Sequence, residues 1–198
     1  MRATLGADVS LRQFTARRAF FSFLGPEFRF FRPDGTLALF VKQKAFRLRE
    51  EITAFVDEAR TSASLRIKAR SIMDVRATYD VADATSGQTV GTCKRAGFKS
   101  LLRDTWEIRG PDDALVANLQ EDSLMLALVR RFFFKAWLPQ TFSLTTPDGR
   151  RLGGMKQRFN PFVLIYDVDL GAEEPGALDA RLGQAAVVLL LAIEGRQQ

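Results

Sequence analysis

The sequence has no histidine and one cysteine, Cys93. Without imidazole there is no Ser-His-Asp or Cys-His nucleophile, no histidine metal ligand, and no side chain whose ordinary pKa lies near neutrality. A lone thiol forms neither an intrachain disulfide nor a cysteine-rich zinc centre, so a reducing cytoplasm is the expected compartment. Neither phosphate-loop pattern, G-x-x-x-x-G-K-S/T or G-x-G-x-x-G, occurs, and Gly153-Gly154 follows a turn without opening an apolar helix. The first residues, Met-Arg-Ala-Thr-Leu-Gly-Ala-Asp, lack the apolar core of a secretory signal. The apolar run 185–193 (AAVVLLLAI) falls well short of the roughly 20 residues that a spanning helix needs. These absences leave no recognisable enzyme chemistry, cofactor or metal, and no transmembrane span. The expectation is a non-enzymatic cytoplasmic protein that touches membranes only peripherally.

What is present is a hydrophobic content of 46%, ample for a core, and 17 Phe against two Trp and two Tyr. Phe without polar handles favours dry packing. The chain then reads as hairpins with turn-forming tips. Phe28-Arg29-Phe30 leads through Pro33-Asp34-Gly35 into 37–44, and 52–57 leads into 63–71. The segment 79–83 leads through Thr85-Ser86-Gly87 into 89–95. Trp106-Glu107-Ile108 passes Pro111-Asp112-Asp113 into 114–120, and Phe142-Ser143-Leu144 passes Pro147-Asp148-Gly149 into 152–157. Asp and Gly in these tips have a backbone reason to be there, so the carboxylates read as turn formers. Ile52, Tyr79 and Trp106 recur at a spacing of 27 residues, the mark of a repeated strand-turn-strand unit. With a final strand over 159–169 and a first strand before Phe23, the total is about twelve strands.

Alternation gives each strand one wet and one dry face, as in Leu65-Arg66-Ile67-Lys68-Ala69-Arg70 and in Leu115, Ala117 and Leu119 against Val116, Asn118 and Gln120. A helix apolar on every side has to be surrounded by protein, and strands are the partner this chain offers. A sheet closed around the terminal segment covers the dry face and removes the exposed edges. The predicted architecture is one domain over 1–198, mainly β, a closed antiparallel barrel of about twelve strands around a buried C-terminal helix over 178–194. Asp179 reads as an N-terminal residue of that helix, where a carboxylate favours the positive end of the dipole.

The ordered stretches Lys42-Gln43-Lys44-Ala45-Phe46-Arg47-Leu48, Ala69-Arg70-Ser71, Tyr79-Asp80-Val81-x-Asp83, Val90-Gly91, Lys94-Arg95 and 101–108 (LLRDTWEI) resemble the LURP-one-related proteins, as do Phe162-Val163-Leu164-Ile165 and the closing run. These proteins belong with phospholipid scramblases and tubby C-terminal domains in the tubby-like superfamily. The resemblance spans roughly residues 10 to 194 and implies a twelve-stranded barrel around a central helix. It implies less about function. No stretch matches tubby's phosphoinositide-binding residues, and the Pro-rich extension and cysteine cluster of scramblases are absent.

Surface charge supplies the remaining signal: 29 Lys plus Arg against 23 Asp plus Glu, net +6, with a sequence pI near 9.9. Arg66, Lys68 and Arg70 fall on one outward strand face. Within 124–138 (LMLALVRRFFFKAWL), Arg130, Arg131 and Lys135 stand among Phe132, Phe134 and Trp137, a mixture suited to a lipid interface. The plainer reading is a strand or lateral helix packing its aromatics on the barrel. The acidic segment 167–174 fails as an EF-hand loop, with Ala172 where Gly is wanted and Leu178 where a bidentate Glu is wanted. Two partners follow: an anionic phospholipid surface, with a scramblase as a further alternative, or an acidic protein bound by a soluble regulatory barrel. Nucleic acid ranks behind both, since no reader motif accompanies the charge.

Overall fold

The computed structural model describes residues 11–19, 25–43, 51–70, 77–96, 105–122, 139–160, 162–174 and 178–194. Within them lie β1 (Gln13–Ala19), β2 (Glu27–Phe31), β3 (Leu37–Lys42), β4 (Glu51–Phe55), β5 (Ala63–Ala69) and β6 (Thr78–Asp83). Next come β7 (Thr89–Arg95), β8 (Thr105–Arg109), β9 (Leu115–Glu121), β10 (Thr141–Thr145), β11 (Arg151–Arg158) and β12 (Val163–Asp169), and then α1 (Ala180–Glu194). Every strand pairs antiparallel with its neighbours in the chain, and β1 pairs with β12 from Gln13↔Asp169 to Ala19↔Val163, closing the barrel. The predicted repeat is real: β4, β6 and β8 begin at Glu51, Thr78 and Thr105, again 27 residues apart.

The predicted wet and dry faces appear as alternating burial, as in β6 and β12. Phe28, Phe30, Leu65, Ile67, Trp106 and Tyr166 point inward and are almost wholly buried. They meet α1, whose side chains from Ala185 to Ala192 are at most 3% exposed. Asp179 caps the helix. Its backbone oxygen accepts from Leu182 and Gly183, and its Oδ1 accepts from the Arg181 amide at 2.8 Å, satisfying a donor the first turn would otherwise leave unpaired. Arg12 ties down the chain entering the helix, donating to the carbonyls of Gly171 and Leu178 at 2.7 and 3.0 Å. An interior gap beside Gly183, also lined by Leu119, Met155 and Ala186, measures about 10 Å³, at the lower limit for one water.

Gly91 and Gly153 are among the glycines that permit close approach of backbones. A Cβ on Gly91, whose φ is +152°, would lie 2.2 Å from the Arg109 carbonyl oxygen, and one on Gly153 would lie 2.2 Å from that of Asp169.

The up-and-down order gives the barrel two unlike ends. One carries tight turns. In these, Asp34 accepts from the Thr36 amide, Asp83 from Thr85 and Ser86, and Asp112 from Ala114. At the other end lie the strand termini Ala19, Lys42, Ala69, Arg95, Glu121 and Arg158.

Candidate functional site

Of the residues singled out from the sequence, Arg130, Arg131, Phe132, Phe134, Lys135 and Trp137 lie outside the described residues. The strand termini that bracket them, Glu121 and Thr141, belong to the barrel end opposite the tight turns. Arg66, Lys68 and Arg70 are all exposed along β5, as alternation requires. Their charge is largely answered on the neighbouring strands: Arg66 pairs with Glu51 at 3.2 Å and Arg70 with Asp80 at 2.8 Å. Lys68 lies between Glu51 and Asp80 in register and makes no ion pair among the described residues. The row is a charge-compensated face rather than a strip of free cations.

A different feature of the surface was not anticipated. Phe159 is 56% exposed and Phe162 70% exposed, in the turn joining β11 to β12. The predicted last strand began at Phe159, but β12 begins at Val163. Asn160 ends the pairing by turning its Oδ1 back to accept the amides of Phe162 and Val163, each at 2.9 Å. An Asn-Pro dipeptide is a turn signal, so Asn160-Pro161 was the clue. Reading Phe as core-forming hid it.

Below this turn runs an outward row of arginines. In register, Arg29 is opposite Arg17, Arg17 opposite Ile165, and Ile165 opposite Arg158, so one level of the barrel carries three guanidinium groups across β2, β1, β12 and β11. Ile165 is three residues from Phe162, roughly 10 Å along a strand. Each arginine is held. Arg17 stacks over Phe31, 4.8 Å from the ring centroid, and Arg29 over Phe40 at 5.1 Å. Arg29 also pairs with Glu58 at 2.7 Å and Glu27 at 3.0 Å, and Arg158 pairs with Asp167. The Arg158 guanidinium holds the Asp167 carboxyl below the usual carboxylate range, helped by the Thr15 hydroxyl, against a smaller opposing effect of burial.

The barrel wall also carries a cleft of about 530 Å³ across β10, β11, β12 and β1, with Arg151, Lys156, Asp169, Gln13 and Thr141 among its lining residues. Among the described residues no group of three or more cysteine, aspartate or glutamate side chains is arranged to hold a metal ion. No described helix is long and apolar enough to cross a membrane.

Comparison with known proteins supports the fold and leaves the ligand open. The family model described as LURP-one-related matches residues 37–189. Among solved structures, the chain is similar to an Arabidopsis thaliana protein determined by X-ray crystallography, at 10% identity over 97% of this chain and 98% of that one, with a TM-score of 0.52. No curated protein matches.

Proposed function

This chain belongs to the LURP-one-related family, and on that premise we propose that it is a non-enzymatic barrel that docks end-on at anionic phospholipid surfaces. The observation that carries the proposal is the exposed pair Phe159 and Phe162 above a row of three arginines. Aromatic side chains enter the boundary between headgroups and acyl chains to a depth of about 5–10 Å. The roughly 10 Å between Phe162 and the Arg17–Arg158 level then sets the guanidinium groups among the lipid phosphates. Cations at that depth are worth about 1 kcal/mol each on an anionic leaflet. The carboxylates paired with Arg29 and Arg158 reduce their share, and Arg17, stacked on Phe31 and free of an ion pair among the described residues, contributes most.

The Asn160 turn makes this a presented site. Two hydrogen bonds accepted by its side-chain oxygen fix the backbone that carries Phe162, so little conformational freedom is lost on insertion.

Co-sedimentation with neutral and with anionic vesicles, at low and physiological salt, tests the proposal. Binding is expected only to anionic vesicles, weakened by salt and abolished in Phe159→Ser/Phe162→Ser. Equal binding of the double variant, or no vesicle binding by the parent, overturns it and leaves an acidic protein as the partner to seek.

A further inference from the structure

We infer that the cleft across β10, β11, β12 and β1 is a binding site for a small organic phosphate that also carries hydroxyl groups. The site is on the barrel wall, apart from the Phe159–Phe162 turn, and stands independently of the membrane reading.

The sequence Arg151-Leu-Gly-Gly-Met-Lys156 makes the cleft. Packing forces the two glycines: a Cβ on Gly153 would strike the Asp169 carbonyl oxygen at 2.2 Å, and one on Gly154 that of Phe142 at 2.3 Å. The two glycines leave bare backbone in the lining of the cleft, beside Phe14, Met155 and Val168, with Arg151 near the tight turns and Lys156 further along the strand. Five residues of strand separate them, at most about 17 Å. The cleft volume of about 530 Å³ is several times that of a bare ion and lies within the range of small-molecule sites.

Charge selects the ligand. Lys156 is directly opposite Asp167 in register, yet Asp167 is occupied by Arg158 and the Thr15 hydroxyl. Lys156 and Arg151 make no ion pair among the described residues, and both line the cleft. Asp169 is the remaining carboxylate. Its Oδ1 accepts from the Gly171 amide and its Oδ2 from Gln13 Nε2 at 3.3 Å, leaving acceptor capacity on both oxygens. With Asp167 neutralised, two cations face one carboxylate, an arrangement that favours an anion at the Lys156 and Arg151 donors. Asp169, Gln13 and Thr141 are left to take hydroxyl groups. The guanidinium fork and the ammonium both suit phosphate.

The shared chemistry, a phosphate ester with hydroxyls, occurs in a free sugar phosphate and in a phosphatidylglycerol headgroup, and the experiment separates them. Amide resonances of Gly153, Gly154 and Lys156 are followed while glucose 6-phosphate, and separately glucose, is added to the full chain. Binding to phosphatidylglycerol vesicles is measured in parallel. The variants are Arg151→Gln/Lys156→Gln, both at exposed positions, and Lys68→Gln as a cation removed elsewhere on the wall. Saturable shifts with glucose 6-phosphate but not glucose, weakened about tenfold by the cleft pair and unchanged by Lys68→Gln, support the site with a free metabolite as ligand. A loss of phosphatidylglycerol binding in the cleft pair alone, with glucose 6-phosphate silent, supports it with a headgroup as ligand. If neither probe senses the cleft pair, if glucose binds as well as its phosphate, or if Lys68→Gln has the same effect, the inference fails.

Discussion

The guanidinium of Arg18 on β1 donates from Nη1 to the carbonyl oxygen of Leu191, 3.3 Å away, at the C-terminal end of the central helix. The helix has no basic residue in its own last turn, although its terminal carbonyls carry the negative end of the dipole. A barrel strand supplies the cation instead. Arg18 is itself buried and lies over the Phe28 ring at 5.7 Å. At the opposite end Asp179 caps the amides, so both poles of the helix are answered inside the protein.

Arg18→Met keeps the apolar stem and removes that donor. The orphaned carbonyl is expected to cost about 2 kcal/mol, read as a fall in Tm on the order of 4–8 °C for a chain of this size. A Tm unchanged by the substitution would show that the helix end is satisfied without Arg18.

Gly91→Ala should be among the most damaging single substitutions in the wall. It combines a left-handed φ of +152° with a Cβ 2.2 Å from a backbone oxygen that cannot move without opening the β7–β8 pairing. A loss of about 3 kcal/mol or more is expected in urea unfolding. Gly87→Ala, at φ +72° with open space around its Cβ, should cost only about 1 kcal/mol. Equal losses would contradict the close-approach argument.

Acid should loosen the helix entrance. The amide and hydroxyl of Ser86 lead in holding the Asp83 carboxyl below its ordinary value. For Asp179, burial pushes upward, but the guanidinium and amide of Arg181 outweigh it and the net shift is downward. Arg181 joins the two, 2.7 Å from Asp179 and 3.4 Å from Asp83. Depressed folded-state values mean that this stabilisation is complete above the unfolded carboxyl pKa of about 3.9. It is lost as pH falls through the folded values. Stability measured from pH 6 down to pH 2 should therefore drop less steeply in Asp179→Asn than in the parent, with the variant about 1 kcal/mol less stable at pH 6. Parallel curves would remove Asp179 from the acid response.

Cys93 should be chemically silent in the folded protein. Burial pushes its thiol up to about 12, and its Sγ faces the Leu182 carbonyl inside the barrel. A thiol reagent at pH 8 is expected to label it only as fast as the barrel unfolds. Stoichiometric labelling within seconds under native conditions would contradict the packed interior.

What the sequence made legible follows the physics that acts locally. Turn tips such as Asp34 and Asp112 bond their own backbones, alternation at Leu65-Arg66-Ile67-Lys68 follows from strand geometry, and Asp179 caps the helix it precedes. The helix begins at Ala180 and not at Leu178, because Leu178 and Asp179 belong to the approach and the cap. Less legible was everything that depends on which strands stand side by side. Arg66 and Arg70 read only as part of an outward basic face until β4 and β6 brought Glu51 and Asp80 beside them. Arg17, Arg29 and Arg158 are scattered in sequence and become a row only through pairing register. Phe159 and Phe162 were hidden by composition, since a chain rich in buried Phe gives no hint that two of them face outward.

The most direct test of end-on docking is to place a nitroxide at either end of the barrel and read its depth on anionic vesicles. Phe162→Cys labels the exposed turn and Gln88→Cys the tight-turn end, while buried Cys93 stays unlabelled. The account predicts that the label at 162 moves into an apolar, oxygen-rich environment when vesicles are added and that the label at 88 stays in water. Both labels remaining in water, or the label at 88 entering the bilayer, would contradict it.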